Sequence, residues 1–306
     1  MRPSLESTRK IFGRLIAAFL LPASIACKEA KLVEPLAPQP DRFAFVYLAD
    51  SSGKLLGRLT EGAWPSWSPD GRRIVFERDG HVRVVDADGS NESDLGQGSW
   101  PTWSPDGSAI AFASAAGISV MAPDGTFTRA LLSPALLALH DWGVGKPSWS
   151  PDGAFIAFDE PGAYDFGVAA RIFAMSADGA SQYTLAGYGQ YESEPSWSPD
   201  GSKVVYWSSD HGLVIVARSG GLPMQVSADE SAMIAARPAW SPDGQSILFN
   251  ARARGRQSFQ STERPATAVM TISPEGGGAR VLIDQGGDAA WSPDGTRIAF
   301  VRYAPR

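Results

Sequence analysis

The chain has 306 residues, with 32 Gly, 23 Pro, ten Trp and a single Cys, and its formal net charge is −6. One Cys excludes an intrachain disulfide framework and a thiolate zinc site, and His81, His140 and His211 lie too far apart in sequence to form a metal-binding helix pair. Net acidity argues against a nucleic-acid partner bound through phosphates. With 43% hydrophobic residues the chain can bury a core, and its Gly and Pro content marks it as rich in turns.

Arg9, Lys10 and Arg14 precede an apolar run from Leu15 to Ala26. This is the pattern of a signal peptide, too short and too broken by Pro22 to span a bilayer. Ser24-Ile25-Ala26 leads directly into Cys27. That arrangement resembles the bacterial lipoprotein box, with Ser24 where Leu is usual. The resemblance implies a lipid on Cys27, hence a membrane contact and an extracytoplasmic location. Lys28 in place of Asp favours the outer membrane over inner-membrane retention, and simple cleavage near Ala26 into the periplasm is the alternative. Residues 1–27 are read as this address and residues 28–42, polar and Pro-rich, as a flexible tether.

From residue 43 to 306 one pattern governs the chain. The pentapeptide Trp-Ser-Pro-Asp-Gly starts at Trp67, Trp103, Trp149, Trp197, Trp240 and Trp291, at spacings of 36 to 51 residues. Periods of this size indicate a repeat architecture. Ser-Pro-Asp-Gly suits a type I turn: Pro fixes φ, Asp can bond backbone N–H groups, and Gly accepts the awkward φ that follows. Each turn leads into an apolar triplet, such as Ile74-Val75-Phe76 or Ile298-Ala299-Phe300, which predicts a strand buried on both faces. A second hairpin follows in five copies, mostly turning at Asp-Gly or Gly-Gly. The sixth copy (Trp291–Tyr303) lacks one, but an extra hairpin, Phe43–Thr60, precedes the first copy. The expected fold is therefore all-β: a six-bladed β-propeller of four-stranded antiparallel blades, closed by pairing the N-terminal hairpin with the C-terminal one.

The repeat, PxWSPDGxxIAF with a later Asp-Gly, resembles the WD40-like propeller repeats of TolB, which also occur in the propellers of prolyl-oligopeptidase-type enzymes. The resemblance covers nearly all of residues 43–306 and implies an extracytoplasmic propeller acting through protein contacts. With residues 1–42 read as address and tether, neither the α/β domain that precedes the propeller in TolB nor a hydrolase domain is expected within this sequence.

Several groups could carry chemistry. The six turn carboxylates (Asp70, Asp106, Asp152, Asp200, Asp243, Asp294) are read as caps of their own turns. His140-Asp141 lacks a nucleophile elbow, so no catalytic residue, metal or cofactor is expected. The variable loops carry aromatic and basic residues suited to an interface, among them Trp142, Tyr164, Tyr188, Tyr191, Arg252, Arg254 and Arg256. The sharpest signal is the position three residues before each repeat Trp, which is Trp64, Trp100, Lys146, Glu194, Arg237 and Asp288. Repeat symmetry makes these equivalent, yet their identities vary while their neighbours do not. They are expected to ring the channel mouth as an aromatic arc and a charged arc. The resulting expectation is a non-enzymatic scaffold contacting envelope proteins, with a small-molecule or glycan ligand possible. A glycan- or peptide-active enzyme using the channel, or a small-molecule sensor, is the alternative.

Overall fold

The computed structural model describes residues 43–132, 144–160, 170–187, 192–226, 233–253 and 267–304. Among them are 24 strands and no helix. Strands β1 (Phe43–Asp50) and β2 (Leu55–Glu61) form the N-terminal hairpin. Blade 1 follows with β3 (Ala63–Trp67), β4 (Arg73–Arg78), β5 (His81–Asp86) and β6 (Ser93–Gln97). Blade 2 has β7 (Ser99–Trp103), β8 (Ile110–Ser114), β9 (Gly117–Met121) and β10 (Arg129–Ala130). Blade 3 has β11 (Ser148–Trp149), β12 (Phe155–Glu160), β13 (Arg171–Ser176) and β14 (Gln182–Ala186). Blade 4 has β15 (Glu192–Trp197), β16 (Lys203–Ser208), β17 (Gly212–Ala217) and β18 (Met224–Gln225). Blade 5 has β19 (Met233–Trp240), β20 (Ile247–Ala253), β21 (Thr267–Ile272) and β22 (Arg280–Ile283). The chain ends with β23 (Gly287–Trp291) and β24 (Arg297–Ala304).

Blade 6 has the order β2-β1-β24-β23, so both ends of the propeller share one sheet. The register runs unbroken from Phe43 opposite Ala304 to Asp50 opposite Arg297. The first strand of each blade neighbours the first strand of the next, and β23 neighbours β3, which closes the circle. The expected six-bladed, self-closing propeller is the fold.

The repeat explains why these residues fold this way. In blade 1, Gly71 N–H donates to Ser68 O at 2.8 Å and Gly71 takes a φ of 67°, where a side chain would be strained. Asp70 accepts from the Ser68 hydroxyl at 2.6 Å and from Arg72 N–H at 3.0 Å. The other five turns repeat the Ser-to-Asp bond. The six carboxylates are thus turn caps, as expected. The Ser hydroxyl is the main cause that holds each below the usual range, to about 2 for Asp152, Asp200 and Asp294.

All six apolar triplets are buried. They do not form one core. They fill six separate seams between adjacent blades; in the seam between blades 6 and 1, for example, Val46 and Leu48 meet Trp67, Ile74 and Phe76. The repeat Trp wedges these seams: Trp67, Trp103 and Trp197 are buried, and Trp67 Nε1 donates to Ala290 O of blade 6 at 3.3 Å. An Arg from the neighbouring blade covers the indole in two seams, Arg297 over Trp67 at 4.6 Å and Arg73 over Trp103 at 4.8 Å.

One expectation is corrected: Arg252, read from the sequence as a variable-loop residue, lies in a strand pair, with Met233 opposite Ala253 and Ile234 opposite Arg252. The apolar run Met233-Ile234-Ala235-Ala236 extends the hairpin and puts Arg252 on a strand.

Candidate binding site at the channel mouth

The innermost strands carry the site. In five of them the register slips once, between Ala63 and Ser66, Ser99 and Thr102, Ser193 and Ser196, Ala236 and Ala239, and Gly287 and Ala290. Three steps on the inner strand face two on its partner, which is a β-bulge, a device that re-aims a side chain. The bulged residues are Trp64, Trp100, Glu194, Arg237 and Asp288, and all five have left-handed φ, between 52° and 59°. Such a conformation costs a non-glycine residue about 1 kcal/mol or more. Lys146 occupies the equivalent place in blade 3, where Gly145 N–H donates to Asp159 O at 2.7 Å, but Lys146 itself is not left-handed.

Five of the six ring positions meet one another directly. Trp64 and Trp100 meet edge to face, ring centres 6.0 Å apart. Arg237 places its guanidinium carbon 5.5 Å over Trp64. The same guanidinium donates through Nε to Glu194 Oε1 at 3.1 Å and forms an ion pair with Asp288 Oδ1. Lys146 feels the charges of Glu194, Arg237 and Asp159; burial pushes its ammonium down and Glu194 opposes that. Trp100 also lines an open groove with Gln97, Ser99, Ser114 and Val144.

A second tier of polar residues supports this ring. The residue after each apolar triplet is Glu77, Ala113, Asp159, Trp207, Asn250 or Val301. Where it is polar, it holds the backbone N–H of the ring residue in the next blade. Trp100 N–H donates to Glu77 Oε2 at 3.3 Å, and Asp288 N–H donates to Asn250 Oδ1 at 3.1 Å. Asn250 Nδ2 returns a bond to Asp288 Oδ1 at 3.3 Å. Asp159 is steadied by backbone N–H groups that include that of Glu194, yet burial and the Glu194 charge push its carboxyl up to about 7. Burial also raises Glu77. These three residues were missed in the sequence; aligning the position after each triplet would have found them.

His81 pairs with Asp94 on the outer part of blade 1, at 3.1 Å, and His211 sits in the turn before β17. Among the described residues neither joins the mouth, and no group of three or more His, Cys, Asp or Glu is placed to hold a metal ion. Trp142, Tyr164, Tyr188, Tyr191, Arg254, Arg256, His140 and Cys27 lie outside the described residues.

The sequence profile of the TolB β-propeller domain matches residues 96–281, more than half of the chain. The chain belongs to the TolB β-propeller domain family. Among solved structures, it is similar to a TolB-type protein from Agrobacterium tumefaciens, at 22% identity and a TM-score of 0.69, over 87% of this chain and 99% of that one. TolB from Acinetobacter baumannii matches at 18% identity and a TM-score of 0.55, over 87% of this chain and 67% of that one. An oligogalacturonate lyase in complex with manganese matches at 16% identity and a TM-score of 0.56, over 75% and 67% of the two chains. At these identities the likeness is one of fold. No curated protein matches the sequence significantly. Within the TolB propeller family, then, the mouth of this chain is defined by its own five bulged positions, by Lys146 and by the tier beneath them.

Proposed function

We propose that this TolB-family propeller is a non-enzymatic binding module of the bacterial envelope, taking a protein partner at the channel mouth. One observation carries the reading: five non-glycine residues are held left-handed at the same bulge of five blades, and their side chains belong to one contiguous cluster. Folding alone gains nothing from that strain, because glycine or an unbulged strand would avoid it. An aromatic pair beside Arg is also the composition of interface anchors. The signal-peptide-like pattern of residues 1–27 supports a location outside the cytoplasm, with Cys27 as the tether.

Affinity capture from envelope extracts tests this. The full chain should retain a partner that the Trp64→Ala, Trp100→Ala double variant loses, with the variant's thermal transition checked for folding. Equal capture by both chains overturns the reading. So does hydrolysis or elimination by the purified chain on a panel of glycans and peptides.

A further inference from the structure

The mouth is built to leave acidic acceptors open. Arg237 touches Glu194 and Asp288 through one oxygen each. The other oxygens, Glu194 Oε2 and Asp288 Oδ2, are buried and have no hydrogen-bond partner, and Asp159 Oδ1 is in the same condition. Asp159 and Asp288 are each only 7% exposed. Glu194 and Asp288 are linked through Arg237, and Glu194 acts on Asp159 through its charge. Buried carboxylate oxygens are ordinarily satisfied, and an orphan calls for a donor. Lys146 and Arg237 are the cations at hand, and Asp159 is raised first by burial and then by the charge of Glu194.

From these orphan oxygens we infer that the channel mouth recognises a primary ammonium group, presented by a lysine side chain of the partner polypeptide. The inference rests on the reading of the mouth as a binding site. An ammonium brings donors and no acceptor, and so suits carboxylate oxygens that lack a donor. It travels on an aliphatic stem, and Trp64 and Trp100 offer half-buried indole surface beside the carboxylates. The Trp64 face already accepts one cation, Arg237. A divalent metal ion would need six or more oxygen ligands converging on one point. Here Arg237 stands between two of the three carboxylates, and no described cluster is placed to hold a metal.

Calorimetric titration of the full chain tests this with four probes: a short blocked peptide with one lysine, the same peptide with that lysine acetylated, spermidine, and calcium ion. The lysine peptide should bind, and acetylation should weaken it about tenfold or more. Glu194→Gln and Asp288→Asn should each weaken the lysine peptide by a similar factor. The acetylated probe leaves the protein untouched, so the result does not depend on a variant folding. Tighter binding of spermidine than of the peptide would reassign the ammonium to a free polyamine and overturn the polypeptide source. Preference for calcium, indifference to acetylation, or no binding of any amine at about 10 mM overturns the inference altogether. In those last cases loss of partner capture by the double Trp variant would still uphold the mouth as a binding site, so the two failures are separable.

Discussion

The Arg237 guanidinium lies 5.5 Å over the indole of Trp64, although the two residues belong to blades 5 and 1. It reaches across blade 6 and binds the aromatic arc to the charged arc. Removing it strands Glu194 and Asp288, whose side chains are 21% and 4% exposed. Arg237→Ala should therefore cost about 3 kcal/mol in urea denaturation at neutral pH. Arg237→Lys should recover part of it, since a lysine keeps the charge and loses the fork. An alanine variant as stable as the parent would show that the bridge contributes nothing.

Asp159 sets a pH dependence. Burial, then the charge of Glu194, raises its carboxyl from 3.8 to about 7 in the folded chain. A group raised on folding favours the folded state below its unfolded value, and that contribution is lost as pH rises through about 7. Asp159→Asn abolishes the titration. Relative to the variant, the parent should therefore lose stability steadily between about pH 4 and pH 7, read as the difference in urea midpoints. A difference that does not change with pH would refute the assignment.

The turn carboxylates act in the opposite sense. Asp152, Asp200 and Asp294 are lowered to about 2, chiefly by a Ser hydroxyl. Their contribution is complete above the unfolded value of 3.8 and disappears as pH falls towards 2. These groups face solvent, so each is worth at most about 1 kcal/mol. Asp200→Asn should lower the thermal midpoint at pH 7 by a few degrees, and should leave it unchanged at about pH 2.

These contrasts show what the sequence makes legible. The turn at Ser68–Gly71 and the burial of Ile74-Val75-Phe76 are written within a few residues of one another, so local rules recover them. The ring positions were legible because a symmetric repeat varied at a single place. Their backbone was not: a residue before Pro is ordinarily extended, yet Trp64, Trp100, Glu194 and Arg237 are left-handed. Nor was the supporting tier. Glu77 holds Trp100 and Asn250 holds Asp288 across a blade boundary, 23 and 38 residues away, with no local period to announce either pair. The closure of Arg237 onto Trp64 depends on the circle itself, which places the fifth blade within reach of the first.

Gly145 is required by a neighbour and not by its own backbone angle. A Cβ there would come within 2.4 Å of Asp159 Oδ1 and 2.6 Å of Oδ2. Gly145→Ala must displace the carboxylate or the strand, at about 1–3 kcal/mol. Asp159→Ala removes the obstacle, so the double variant should be more stable than the sum of the two single losses predicts. Strict additivity in urea denaturation would mean that the two sites do not touch.

Closure of the ring can be tested by moving the hairpin that performs it. The N-terminal hairpin covers the edge of β24 and supplies Val46, Leu48 and Ala49 to the seams on both sides of blade 6. A chain beginning at Gly62 exposes that edge and should aggregate on size-exclusion chromatography. Phe43 pairs with Ala304, so a short glycine-containing turn can join residue 306 to residue 43. The circular permutant that starts at Gly62 and ends at Glu61 retains every strand pair and should elute as the parent does, with a similar thermal midpoint. If the truncated chain stayed monomeric and as stable as the permutant, the shared sheet would not be what holds the propeller closed.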